Sequence, residues 1–190
     1  MLNFLKKYRR RFGLVALIVA FGGGVFWVPT LDFVDHYFSS NDFCAKACHV
    51  MEGTVYKELQ QSKHWTNSEA VRPKCGSCHL HEHLTMAMWD HVIGLRDLYS
   101  FIFKGIRTPE DIDKIRPELA NKVRMEMLAD GNKPCLRCHV FEGIKPKKKR
   151  GQRQHADAVK KNTPCIACHY NLVHKEIDPS PEFEKATEDM

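Results

Sequence analysis

Cys75-Gly-Ser-Cys78-His79, Cys135-Leu-Arg-Cys138-His139 and Cys165-Ile-Ala-Cys168-His169 are three copies of one pattern. Cys44-Ala-Lys-Ala-Cys48-His49 is a fourth copy, with one extra residue between its cysteines. Together they use all eight cysteines of the chain. The spacing has a chemical reason. Two thiols add across the two vinyl groups of haem, and the histidine that follows is then placed to bind the iron as proximal ligand. Zinc also takes Cys-x-x-Cys pairs, but it does not require a histidine directly after every second cysteine. Thioredoxin-like redox chemistry would need a βαβ pattern around one pair, and none is visible. A disulfide framework would leave the eleven histidines without a use. The chain therefore reads as a carrier of four covalently bound haem c groups. The attachment residues are Cys44, Cys48, Cys75, Cys78, Cys135, Cys138, Cys165 and Cys168, and the proximal ligands are His49, His79, His139 and His169.

Working outward from the motifs, the remaining histidines follow a duplication. His49 to His64 spans 15 residues and His139 to His155 spans 16; His64 to Cys75 spans 11 and His155 to Cys165 spans 10. His79 to His83 spans 4 and His169 to His174 spans 5. The unit recurs at a period near 90 residues, which predicts two dihaem modules at about 41–83 and 132–174, joined by a helical segment over 84–131. Low-spin haem takes two strong axial ligands, so His64, His155 and His174 are candidates for sixth ligands. A histidine four or five residues after its own proximal histidine is poorly placed to reach the opposite face of the same haem. His174 and His83 are therefore expected to serve neighbouring haems. His81 competes with His83, and Met51 offers a thioether to the first haem or simply fills the core.

The N-terminus sets the compartment. Lys6, Lys7, Arg9, Arg10 and Arg11 form a basic block, and Phe12 to Leu31 then carries no charge. Twenty residues span about 30 Å as a helix, the thickness of a bilayer core. Trp27 sits where an interfacial aromatic belongs. A cleaved signal peptide usually has a shorter apolar region and a small-residue cleavage site, which is not seen here. The basic block holds the N-terminus in the cytoplasm and sends the rest across the inner membrane. Residues 1–31 are thus the stub and anchor, and 32–190 the exported tetrahaem domain. His36 follows the anchor as an interfacial polar residue. The mean hydropathy of −0.41 excludes a polytopic membrane protein. With 43% hydrophobic and 27% charged residues, wholesale disorder is excluded too.

Little strand signal appears. Leu84 to Ile106 has helical periodicity, with Leu84, Met88, Leu95, Leu98, Ile102 and Ile106 on or near one face. That face either covers haem or lies near the bilayer and shapes a quinone pocket. Pro117 at a start and Gly131 near an end bracket a second helix. Lys145 to Arg150 is a basic, proline-containing run, read as a solvated loop that steers an acidic partner. Nucleic acid is not a partner for an exported haem protein. The formal charge of +6 overstates that of the loaded protein. Four haems, each with two propionates and a singly charged ferric centre, remove about four charges.

An anchor followed by four such motifs in this order resembles the NapC/NirT/NrfH family of membrane-bound tetrahaem quinol dehydrogenases. The shared features run from Lys6 to His174. They include Cys48-His49 with Met51, the histidine before Trp65, the histidine shortly after the second motif and the closing segment with His174. The resemblance implies oxidation of quinol from the membrane quinone pool and transfer of electrons to a periplasmic redox enzyme. It also implies a basic residue and then an acid on the helix after the second motif, beside the first haem and the quinol. These fall at His91, where the family often has lysine, and Asp97. The three-residue gap in the first motif is a second departure. Asp97 is then the proton acceptor, with His91 assisting.

The expected fold is mainly α with much irregular structure: one transmembrane helix plus a compact multihaem cytochrome c domain of two dihaem modules. The expected function is electron exchange between quinol and a reductase such as a nitrite or nitrate reductase. Two alternatives stand. One is a quinone reductase fed by a periplasmic oxidase such as hydroxylamine oxidoreductase. The other is a multihaem terminal reductase, which would need an open haem position. The sixth ligand of the first haem is open among His83, His81, Met51 and Asp97, and so is assembly as a homo-oligomer.

Overall fold

The computed structural model describes residues 2–47 and 49–190, with side chains from Arg11 onward. Cys48, a predicted attachment residue, lies outside the described residues, as do the side chains of Lys6, Lys7, Arg9 and Arg10. The chain forms two compact units, one ending at Phe38 and the other spanning Ser39–Met190.

The first unit is one helix, α1, Leu2–Phe38. Its Arg11–Phe38 stretch is long and apolar enough to cross a membrane. At 1.5 Å per residue that stretch reaches about 42 Å, more than a hydrocarbon core. Gly22, Gly23 and Gly24 leave the helix unbroken, and Pro29 lies inside it. Phe12, Leu17, Phe21 and Phe26 point outward with most of their surface exposed. Such a helix has no apolar partner within its own unit to bury them.

The second unit is helical and irregular, with no strand among the described residues. Its α-helices are α2 (His49–Met51), α3 (Lys57–Gln61), α4 (Cys75–His79), α5 (Leu84–Phe103), α6 (Pro109–Asp130), α7 (Lys133–Leu136), α8 (Lys149–Lys161) and α9 (Pro181–Thr187). Wide π-type turns occupy Asp42–Ala47 and Glu52–Tyr56. A π-type turn takes up an additional residue, and the first of these holds Cys44 of the stretched first motif.

Two sequence expectations about helix ends are corrected. Pro117 does not start a helix; it lies inside α6, which begins at Pro109. The start signal is Thr108, whose side chain accepts from the Asp111 backbone N–H while the Asp111 carboxylate accepts from the Thr108 backbone, a reciprocal cap. Asp111 is held down to about 2, first by the Arg107 backbone N–H and then by Thr108. The helix after the second motif ends at Phe103 rather than Ile106, because Gly105 turns the chain at φ +69°. Gly131 ends α6 in the expected place, also at φ +69°.

The apolar core is sparse. Among the described residues the buried hydrophobic side chains are Ala45, Val50, Leu59, Ala87 and Phe183. Protein interiors are normally close-packed, and a unit of this length would bury many more large apolar groups. What holds it together instead is polar. Arg124, 4% exposed, stacks over Tyr170 at 4.9 Å and donates to the carbonyls of Ile177 and Asp178 and to Asn171. Arg116, 6% exposed, pairs with Glu58 at 3.0 Å and with Asp113 at 2.8 Å.

Candidate haem-binding centre

The second motif forms α4, and its Gly76 is closely packed. A Cβ there would come within 3.3 Å of the Ser39 carbonyl oxygen and 3.0 Å of Leu80. The chain entering the first motif therefore lies against the second. Asn41 fastens that contact, its side-chain oxygen accepting from the Cys75 backbone N–H at 2.8 Å. The same device recurs in the other half, where Asn132 accepts from the Cys165 backbone N–H at 2.5 Å. Both asparagines stand three residues before the first cysteine of their half. That repeated offset was available in the sequence and was missed there.

Arg137, between the cysteines of the third motif, bolts it to the second. Its guanidinium donates to the carbonyls of Ser77 at 2.9 Å and Leu80 at 2.6 Å, at the C-terminal end of α4. A cation at a helix C-terminus is favoured because the last carbonyls lack partners. The four motifs thus adjoin in chain order, and their thiols sense one another. A hydrogen bond with Cys75 lowers Cys44 to about 7, and the same contact, followed by burial, raises Cys75. Burial raises Cys78 against the pull of Arg137, and burial with Cys165 alongside raises Cys135 to about 11. No disulfide forms among the described cysteines.

Three of the motif histidines face a second imidazole. The ring centres of His79 and His174 are 6.1 Å apart, those of His155 and His169 6.0 Å, and those of His64 and His139 6.3 Å. Two imidazoles on opposite sides of one metal, with bonds of about 2.0 Å, would put their ring centres about 6.3 Å apart. Burial lowers His64, His79 and His174 from the usual imidazole value, His79 to about 4, with the facing ring a second cause for His64 and His79. His79 is ringed by protein although much of its own surface stays open. A neutral imidazole is the form that binds metal.

Neighbouring groups orient these rings. His155 lies on α8, and its Nδ1 bonds the Gly151 carbonyl one turn back at 2.9 Å. That bond fixes Nδ1 as the protonated nitrogen and leaves Nε2 as the lone pair. His174 Nδ1 lies 3.5 Å from Glu58 Oε2. Glu58 also accepts from Arg116 and from the Lys175 backbone N–H at 3.0 Å. His64 sits in the turn after α3, braced by Asn67, and its Nδ1 is buried without a hydrogen-bond partner.

The residues fit haem c in three respects. The donor set is thiols and paired imidazoles, His64 carries an orphaned buried nitrogen, and the polypeptide does not fill its own interior. For the first motif, the ring found against His49 among the described residues is that of Phe101, edge-on at 6.0 Å. Met51 is half-buried two residues on. His83 is exposed at the start of α5. His81 is engaged with Asp90, its Nδ1 2.8 Å from the carboxylate, and its Nε2 lies 3.8 Å from Asp130.

The acid and base expected at a quinol site lie on α5. Asp97 is exposed and stands one turn from Phe101, hence on the flank of the helix that meets the first motif. His91 is half-buried, with Nδ1 2.7 Å from the Ala87 carbonyl. The predicted apolar stripe of α5 is covered only in part: Leu84 and Met88 are half-buried, while Leu95, Leu98 and Ile102 are 60%, 55% and 48% exposed.

Comparison with known proteins bears on the same residues. Residues 6–179 match the family described as NapC/NirT cytochrome c family, N-terminal region. A protein of Allochromatium vinosum named as tetraheme cytochrome-c type is 30% identical over 169 residues, 88% of this chain and 91% of its own. The cytochrome c-type protein NapC of Escherichia coli is 31% identical over 178 residues, 90% of this chain and 88% of its own. The denitrification system component NirT of Stutzerimonas stutzeri is 32% identical over 164 residues, 85% of this chain and 78% of its own. No solved structure matches the chain.

Proposed function

The chain belongs to the NapC/NirT cytochrome c family, and on that premise we propose that it carries four haems, takes electrons from membrane quinol and hands them to an exported reductase. The observation that carries the reading is the set of three imidazole pairs, each joining a motif histidine to a distant histidine at 6.0–6.3 Å. Haem, when bound, supplies reversible one-electron chemistry at iron.

The chain's own residues do the rest. The cysteines would hold the groups, with His49, His79, His139 and His169 as the motif ligands. His174 beside His79, His64 beside His139 and His155 beside His169 would supply the second imidazoles. Two strong ligands on three of the sites favour electron transfer over substrate chemistry, which needs an open position. That speaks against the terminal reductase. At the first site the partner of His49 is left open among Met51, His81, His83 and Asp97, and Met51, only two residues on, is too close in sequence to reach the opposite face of the same haem.

Quinol loses two protons as well as two electrons, so its site needs an acceptor for them. Asp97 takes a proton as general base, and His91 assists one and a half turns back. The uncovered apolar side chains of α5, Leu95, Leu98 and Ile102, suit a lipophilic ring and tail. The helix Arg11–Phe38 is the anchor, with the basic stub in the cytoplasm and the haem domain in the periplasm. The acceptor is a nitrite or nitrate reductase, a choice supported by the relative named as a denitrification component.

The test is reduction of the purified holoprotein by a menaquinol or ubiquinol analogue. We expect rapid reduction of haem, with four per chain by pyridine haemochrome. Asp97→Asn should keep all four and their reduction by dithionite, but slow the quinol reaction at least about tenfold. A wild-type protein that dithionite reduces and quinol does not would overturn the reading. Equal quinol rates would remove Asp97 alone.

A further inference from the structure

Beyond the basic block of Lys6, Lys7, Arg9, Arg10 and Arg11, the positive charge of this chain is concentrated in one place. Of its 29 Lys and Arg and 23 Asp and Glu, residues 145–161 hold eight and one, leaving 21 and 22 elsewhere. Outside that segment the protein is close to neutral, and haem propionates would make it anionic. The molecule is therefore polarised, with a cationic patch formed by the run 145–150 and α8.

The patch also has a defined orientation. At about 100° per residue, Lys149, Arg150, Arg153, Lys160 and Lys161 of α8 fit within an arc of about 120°. His155 lies about 180° from the middle of that arc. The structure agrees, since the five cations are exposed while Gly151, His155 and Ala158 are half-buried. The inner face presents the His155 ring, 6.0 Å from that of His169. The outer face presents charge one helix diameter away, about 10–12 Å. Lys161 reaches the Met190 carbonyl oxygen at 3.5 Å; the other four cations project from a helix whose single acid is Asp157.

We propose that the outer face of α8 docks an acidic redox protein, which exchanges electrons at the site held by His155 and His169. This inference rests on the electron-transfer reading above and adds where the partner binds and with what charge. Each encounter passes one electron: this protein is oxidised by one, the partner is reduced by one, and no bond is made or broken. Complementary charge steers and orients such encounters, and rim charges act mainly on the association rate and its salt dependence. An anionic lipid surface is the competing occupant. Any exposed basic patch would satisfy a lipid. A cation face on the helix that carries His155 places a docked acidic protein about one helix diameter from the redox site.

The experiment uses the full chain with its haems in nanodiscs, pre-reduced with dithionite so that quinol reactivity plays no part. Two oxidants are compared: ferricytochrome b5, an acidic single-haem protein, and basic mitochondrial cytochrome c. The variant is Lys149→Glu, Arg150→Glu, Arg153→Glu. A milder set, Lys149→Gln, Arg150→Gln, Arg153→Gln, guards against misfolding. The control is Lys104→Glu, Lys122→Glu, Lys185→Glu, which makes the same change in net charge elsewhere. With haem content and visible spectra unchanged, the Glu variant should lose at least about tenfold in rate with cytochrome b5, gain with cytochrome c, and lose most of its salt dependence. The Gln set should show a smaller change in the same direction. An equal loss in the control would reduce the effect to net charge and overturn the proposal, and so would unchanged rates in the Glu variant. An effect confined to nanodiscs containing phosphatidylglycerol, and absent in phosphatidylcholine alone, would give the face to the membrane instead. Failure of the wild type to reduce either oxidant would count against the electron-transfer reading itself.

Discussion

The two halves defined by the repeat of about 90 residues, each with two cysteine motifs, share spacing but not architecture. In both, an asparagine three residues before the first cysteine ties down the second motif, Asn41 to Cys75 and Asn132 to Cys165. Beyond that clamp they diverge. The second half places His155 on a regular helix, with Nδ1 tied to Gly151, and the ring meets His169 of its own half. The first half places the corresponding His64 in a turn after a short helix, and the ring meets His139 of the other half. His174, from the second half, faces His79 of the first, with Glu58 of the first half beside it. The two halves hold similar sets of histidines, and the fold brings two of the three ring pairs together across the halves. The difference teaches that a repeat preserves local clamps more faithfully than long-range partnerships. A clamp needs one residue and one backbone N–H at fixed offset, whereas a partnership depends on how whole segments pack.

The sharpest way to break this comparison is spectroscopic. His64→Met should abolish or shift one low-spin EPR signal, and removing the third attachment site with Cys135→Ala and Cys138→Ala should delete that same signal. If removal of the second site through Cys75→Ala and Cys78→Ala deletes it instead, the pairing stays within the half and the interleaving is wrong.

Next in size is the brace between halves. Glu58→Ala leaves Arg116 with Asp113 alone and takes a carboxylate from beside His174. Removing one member of a buried ion pair costs about 3 kcal/mol, which denaturant unfolding of the holoprotein would register. Position 149 corresponds to it at the 91-residue offset between the two asparagines; Lys149→Ala, at an exposed site, should change stability by less than about 0.5 kcal/mol. Similar losses at both positions would mean that the brace is not specific to the first half.

The smallest effect tests the shared feature. Asn41→Ala and Asn132→Ala each orphan a partly buried backbone N–H, at a cost of about 1–2 kcal/mol. Thermal unfolding should show similar losses for the two, and a loss in only one would confine the clamp to one half.

Much of the site was legible in the primary structure because covalent attachment is local. The two thiols and the histidine of a haem c motif must lie within a few residues of one another, so the motifs that begin at Cys75, Cys135 and Cys165 are read from the sequence as candidate attachment sites. The anchor was legible for a similar reason, since length and lack of charge are properties of one segment. The cap at Thr108 was there to be read as well. Pro117 drew attention instead, because proline marks helix starts more often than interiors and Pro109 carries the true signal. Asn41 and Asn132 could have been found by extending the repeat three residues upstream.

What no spacing could decide is which histidine meets which. His64 stands 75 residues from His139, and His174 stands 95 from His79. Each pairing depends on contacts made only after the segments pack: Arg137 across the carbonyls of α4, Arg116 on Glu58, and Arg124 holding the chain around His174. The period near 90 residues carried the chemistry of the ligands, because chemistry belongs to residues. It could not carry their partners, because partners are chosen by long-range packing, and the two halves pack differently around donors they hold in common.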